Sequence, residues 1–127
     1  MISGVGIDIV EIERIAVSIN KEKGFRELVF SAHEISYCES KAKKIEHYAA
    51  RFAAKEAFFK AIGTGWAEGT SFSEIEIYNE TSGKPHVRLL GETAVSLKQF
   101  NAADIHVSLS HTANIATAVV MIAIADT

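Results

Sequence analysis

Two carboxylates stand where a soluble fold would ordinarily keep apolar side chains. Asp8 lies inside the otherwise uncharged run Gly4 to Val10. Glu56 falls near the middle of the stripe that Ile45, Tyr48, Ala49, Phe52 and Phe59 form on a helical wheel, with Lys60 beside it. Burying an unpaired charge costs on the order of several kcal/mol, so Glu56 must meet a cation, donate as a neutral acid, or face a cleft. A Glu56–Lys60 pair along the helix is worth only about 0.2–0.5 kcal/mol and hardly offsets that burial. For Asp8 the plain alternative is a cap on the helix that follows. Taken together, carboxylates in apolar settings on two different elements suggest a shared cation. No histidine lies at zinc-like spacing near either, which favours a hard ion such as magnesium. Such an ion takes one or two carboxylates and completes its shell with water and a substrate's phosphates.

Other segments carry weaker chemistry. Gly4-Val5-Gly6 fails as a dinucleotide fingerprint because Ile9 stands where a third glycine is needed. Gly63-Thr64-Gly65 follows a helical segment and lacks the Lys-Ser/Thr of a phosphate loop, so it reads first as a helix end and turn, open enough to admit a bulky ligand. Ser108-Leu109-Ser110-His111 has no hydrolase elbow around either serine. On a strand, Ser108 and Ser110 share one side, and their hydroxyls with His111 suit phosphate oxygens as well as an ordinary edge histidine. His33, His47, His86 and His106 have no partner at ligand spacing and read as surface residues. Cys38, the sole cysteine, excludes an intrachain disulfide and a multi-cysteine zinc site and reads as a buried, idle thiol.

The elements that must position these residues follow from periodicity. Val5, Ile7 and Ile9 alternate as a strand; Ile12, Ile15, Ala16 and Ile19 recur at helical spacing up to a stop at Gly24. Ser31 with Glu34 forms a capping box for a short second helix, and a long third helix runs from about Lys41 to Ile62, ended by Gly63. Phe72, Ile75 and Ile77 lead through NETSGKP into Val87 to Leu90, a hairpin. A helix near Gly91 to Phe100, a strand through Ile105, Val107 and Leu109, a turn at Ala113-Asn114 and a final apolar strand complete the chain. Helices mixed with antiparallel strands predict an α+β fold, a small antiparallel sheet with packed helices.

With 127 residues, 48% hydrophobic, one proline (Pro85) and no linker-like stretch, residues 1–127 are expected to form one domain. A net charge of −3 argues against nucleic acid as a partner. The start MISGVGIDIV lacks the basic region and cleavage site of a secretory signal, and the apolar run Ile115 to Ala125 is about half the roughly 20 residues a bilayer requires. A cytoplasmic protein without membrane insertion is expected.

Three segments in order, GIDIVEIERI (Gly6 to Ile15), RFAAKEAFFKAIGTG (Arg51 to Gly65) and SLSHTANIA (Ser108 to Ala116), resemble the holo-[acyl-carrier-protein] synthase family of 4′-phosphopantetheinyl transferases. SGKPHVRLLG (Ser82 to Gly91) resembles that family's hairpin, so the likeness spans the chain. Trp66 after GTG and Ala113 after SHT depart from the pattern. The resemblance implies a 4′-phosphopantetheinyl transferase-like fold and transfer of phosphopantetheine from coenzyme A to a serine of apo acyl carrier protein, in support of fatty acid biosynthesis. It implies Asp8 and Glu56 as magnesium ligands and catalytic groups, and Lys60 on the coenzyme's phosphates. Arg51, Gly63, Thr64, Gly65, Ser110 and His111 would shape or contact the coenzyme site, Ser110 and His111 at the nucleotide end. It further implies a homotrimer with sites between subunits, the apolar run Ala116 to Ala125 suiting a buried interface strand. The carrier would dock on the first helix, with Arg14 and Arg26, flanked by Lys21 and Lys23, as basic contacts and Phe25 as an apolar anchor.

Overall fold

The computed structural model describes residues 1–21, 23–64, 69–100 and 103–124. Gly65 and Trp66 of the GTG segment and Ala125 of the C-terminal run lie outside the described residues. The first strand, β1 (Ile2–Glu11), extends beyond Gly4 to Val10 and runs directly into α1 (Ile12–Lys21), which buries Ile12 and Ile15. Gly24, at φ 85°, turns the chain into α2 (Phe25–Val29), whose five residues are too few to display a helical period. The expected capping box opens α3 (Ala32–Glu39): Ser31 Oγ accepts from the Glu34 N–H at 3.2 Å, and Glu34 Oε1 accepts from the Ser31 N–H at 2.9 Å. The long helix, α4 (Lys44–Ile62), starts at Lys44 rather than near Lys41 and stops at Gly63, whose φ of 82° and N–H bonds to Phe59 and Lys60 carbonyls close it.

In the second half, Phe72–Glu74 is a 3₁₀ turn rather than strand, and β2 (Ile75–Asn79) pairs antiparallel with β3 (Pro85–Leu89). The helix expected over Gly91 to Phe100 is broken: α5 (Gly91–Ser96) ends where buried Leu97 leaves helical dihedrals, and a 3₁₀ turn, Lys98–Phe100, follows. Strands β4 (Asp104–His111) and β5 (Ile115–Ala123) join β1 in an antiparallel sheet of order β1-β5-β4. The architecture is the expected α+β one, small antiparallel sheets with packed helices. Among the described residues, no helix is long and apolar enough to cross a membrane.

Helix α4 lies against the inner face of the sheet. It approaches β1 so closely that a Cβ on Gly6 would overlap the Ala57 carbonyl oxygen, and one on Gly4 that of Ala61. α3 and β2 pack against α4 as well, Ile75 and Ile77 being fully buried. The helix is therefore covered on more than one side: Ala53, Ala54, Lys55, Ala57 and Phe58 are buried along with Tyr48, Ala49 and Phe59, whereas Ile45 and Phe52 are only partly so. The single apolar stripe of the wheel is corrected accordingly. β5 is likewise not an interface strand on both faces. As the central strand it turns Ala116, Ala118, Val120 and Ile122 into the chain's own core, and only the alternate residues, Val119 and Met121 among them, face outward.

Candidate functional site

The close approach of β1 and α4 creates the first cleft. With Gly6 against Ala57, the next inward residue of β1 is Asp8, which meets the exposed edge of α4. The Lys60 ammonium lies 3.0 Å from Asp8 Oδ1 and donates to the Ile7 carbonyl, also at 3.0 Å. Asp8 is thus within the strand and not a helix cap, and the cation of Lys60 is tied to Asp8 rather than spent along its own helix. Glu56 is half-buried and, of the three options open to it, faces a cleft of about 400 Å³ lined by Asp8, Arg14, Ser18, Phe25 and Phe52. Burial foremost, and then the negative charge of Asp8, push the Glu56 pKa above the usual carboxylate range, with Lys60 pulling the other way. Two carboxylates that repel each other across an open cleft are a donor set for a hard cation. Among the described residues no cluster of three or more histidine, cysteine, aspartate or glutamate side chains could hold an ion.

A second cleft, of about 280 Å³, opens between α4, β4 and the β2–β3 turn. It shares no lining residue with the first. Arg51, 2% exposed, donates to Asn79 Oδ1 at 2.6 Å and stacks 4.2 Å from the centre of the Tyr37 ring, while its Nε has no partner among the described residues. His111 Nδ1 lies 3.3 Å from the Thr112 carbonyl oxygen and 3.5 Å from Glu46 Oε2. Ser108 lines this cleft; Ser110 is exposed on the same strand but does not. His47 is not the surface residue its spacing suggested. It lines the cleft half-buried, its ring edge-on to Tyr37, and burial first and Arg51 second push its pKa down. His86 is also engaged, stacked on Tyr78 and 3.3 Å from Glu80. Gly63 and Thr64 are exposed just beyond α4 and line neither cleft.

The carrier-docking candidates divide into two places. Arg14 and Phe25 line the first cleft beside the carboxylates. Lys21, Lys23 and Arg26 surround a hollow at the α1–α2 junction, where Arg26 is already paired with Glu27 at 3.2 Å and Glu39 at 3.1 Å.

One feature of the site leaves no local trace in the sequence. Lys55, next to Glu56, is fully buried and donates to Glu34 Oε1 at 2.8 Å and to the Phe72 and Ile75 carbonyls at 2.8 and 2.5 Å. Glu34 Oε2 in turn accepts from the Ile77 N–H at 2.9 Å. Desolvation lowers the Lys55 pKa and Glu34 opposes it. This buried pair ties α3, α4 and β2 together and so fixes the rotation of α4 that turns Glu56 into the cleft. Cys38 is buried as expected, its thiol pushed up to about 12 by desolvation.

Residues 4–120 match the family model of the 4′-phosphopantetheinyl transferase superfamily. The chain is 50% identical over 123 residues to holo-[acyl-carrier-protein] synthase of Cytophaga hutchinsonii, a match covering 95% of this chain and 97% of that protein. Its fold is similar to that of a holo-(acyl-carrier-protein) synthase from Bacillus anthracis in complex with CoA (3′,5′-ADP), with a TM-score of 0.82, 34% identity and coverage of 98% and 99% of the two chains. It is also similar to the Helicobacter pylori holo-[acyl-carrier-protein] synthase in complex with coenzyme A, with a TM-score of 0.78, 36% identity and coverage of 94% and 99%.

Proposed function

The chain belongs to the 4′-phosphopantetheinyl transferase superfamily, and from that premise we propose that it transfers 4′-phosphopantetheine from coenzyme A to a serine of apo acyl carrier protein with magnesium as cofactor. The observation that carries this reading is the cleft where Asp8 and Glu56 converge from β1 and α4 beside Lys60. The serine oxygen forms a bond to the β-phosphorus of coenzyme A as the bond from that phosphorus to the bridging oxygen breaks, adenosine 3′,5′-bisphosphate leaves with the electron pair, and the serine hydroxyl proton passes to solvent. Asp8 and Glu56 would hold magnesium, which when bound offsets the negative charge of the pyrophosphate. Lys60, 3.0 Å from Asp8, adds positive charge where the leaving group gathers negative charge. Arg14 and Phe25 at the cleft mouth give an acidic carrier a charged and an apolar contact. Positioning and electrostatics supply most of the rate in such transfers.

The site is shared between copies of a cytoplasmic homotrimer. Supporting this, the sheet leaves an apolar face uncovered, Val5, Ile7 and Ile9 being 55%, 64% and 66% exposed, continued by Val119 and Met121. The coenzyme's nucleotide end requires cationic and stacking groups, and the cleft bearing Arg51, Tyr37 and His111 has them apart from the carboxylates of the same chain. A ring of three closes heterologous contacts and sets one copy's His111 cleft beside its neighbour's Asp8 cleft.

Incubation with coenzyme A, magnesium and an apo carrier protein, followed by mass spectrometry of the carrier, tests the reaction. A carrier mass gain of one phosphopantetheine is expected. Coenzyme binding without gain, or coenzyme cleavage independent of carrier, would contradict it.

A further inference from the structure

Glu46 sits in the second cleft, where a carboxylate is out of place. The Glu46 side chain is 18% exposed and lines the same hollow as Arg51, His47 and His111, groups suited to an anion. A negative charge there repels phosphate unless it acts on something else. Among the described residues its ion-pair partner is His111, with Oε2 3.5 Å from Nδ1. The Thr112 carbonyl oxygen approaches the same nitrogen at 3.3 Å. Nδ1 therefore faces two acceptors, which keep its proton in place and leave Nε2 as the ring atom free for a ligand. In the imidazolium form of such a ring, Nε2–H is a charge-assisted donor for a phosphate oxygen.

We propose that Glu46 is a positioning residue: it holds the His111 imidazole by Nδ1 so that Nε2 is presented to the nucleotide end of coenzyme A. The proposal rests on the coenzyme reading above. Glu46 is near the start of α4, whereas Glu56 lies further along the same helix, so one rigid element sets both ends of the substrate path, in one copy the histidine and in the next the carboxylates. Asn114 and Ile115 N–H groups donate to Thr112 Oγ1, at 3.2 Å each, and fix the turn that carries the second acceptor.

The test is a double-mutant cycle read by calorimetric binding of coenzyme A and by steady-state kinetics. Glu46→Ala should weaken coenzyme A binding about fivefold, the order of effect of one polar contact to a positioned ring, with KM for the carrier unmoved. Glu46→Asp should restore part of the loss. In a His111→Ala background, Glu46→Ala should change binding by a factor near one. Side-chain ¹⁵N spectra of the coenzyme A complex should show Nδ1–H in contact with an acceptor in the wild type and a weaker Nδ1 contact in Glu46→Ala. An equal loss in the His111→Ala background, a parallel rise in carrier KM, or tighter binding on removal of the charge would overturn the proposal. Absence of coenzyme A binding by the wild type would instead overturn the functional reading itself.

Discussion

Burial and the neighbouring charge of Asp8 press Glu56 the same way, towards its protonated form, and Lys60 only partly relieves them. In the metal-free protein the folded state therefore holds this proton to higher pH than the unfolded chain, where the group titrates near 4.5. The associated stability is complete below that value and is lost as pH rises through the raised folded pKa. Glu56→Gln, neutral throughout, should melt above the wild type at about pH 7 in chelator, the gap closing as pH falls towards about 4.5. Magnesium should stabilise the wild type alone and narrow or reverse that order. Thermal melts across pH, with and without magnesium, check this; equal melting temperatures at neutral pH in chelator would contradict it. Two lysines of α4 give a contrast. Lys55→Met leaves Glu34 buried without its partner and should cost about 3–5 kcal/mol in urea titrations. Lys60→Met removes an exposed partner and should cost about 0–1 kcal/mol while transfer falls. Local spacing made Glu56, Lys60 and Asp8 visible as misplaced charges, and Ser31 with Glu34 as a cap. The second use of Glu34, pairing across 21 positions with Lys55, has no period to betray it.

At the scale of elements, the joint between β1 and α4 decides the site. Gly4 and Gly6, unremarkable as a failed nucleotide fingerprint, are the surface on which α4 rests. Gly6→Ala should force strand and helix apart, costing about 1–3 kcal/mol and lowering transfer further than that instability explains, because Asp8 moves relative to Glu56. Unfolding and transfer measured on one preparation separate the two effects; a fully active, fully stable variant would contradict the packing argument. Alternation revealed β1 but not its orientation. The isoleucines face outward and the glycines inward, the reverse of ordinary core patterning, because the helix backbone occupies the space that side chains would fill. Periodicity failed on α4 for a related reason: several elements cover it, so small alanines replace a stripe. The five-residue α2 and the break at Leu97 depend on tertiary packing and lie below the length at which a period can register.

Among the described residues the Asp8 cleft and the His111 cleft have no lining residue in common and an apolar sheet face lies uncovered, an arrangement that is incomplete as a monomer if coenzyme A is to touch both clefts. The motifs GID, KEA and SHT were legible in the sequence in order and spacing, as was the pairing of Asp8 with Glu56, but that Arg51, on the same helix as Glu56, lines the other cleft was not, since that depends on where α4 crosses the sheet. Asp8→Ala and His111→Ala, each inactive alone, should regain roughly a quarter of the sites when unfolded, mixed equally and refolded, since half of each pairing side is intact. Recovery absent from proven mixed trimers would place the site within one chain. The central claim, that Asp8 and Glu56 together hold the ion that carries transfer, is tested most directly by one titration. Carrier modification is followed by mass spectrometry at saturating coenzyme A over a range of magnesium, for the wild type, Asp8→Asn and Glu56→Gln. The account predicts a wild-type rate that rises from near zero to saturation, and folded variants that stay far below it at limiting magnesium. A rate independent of magnesium, or variants that match the wild type at limiting ion, would contradict it.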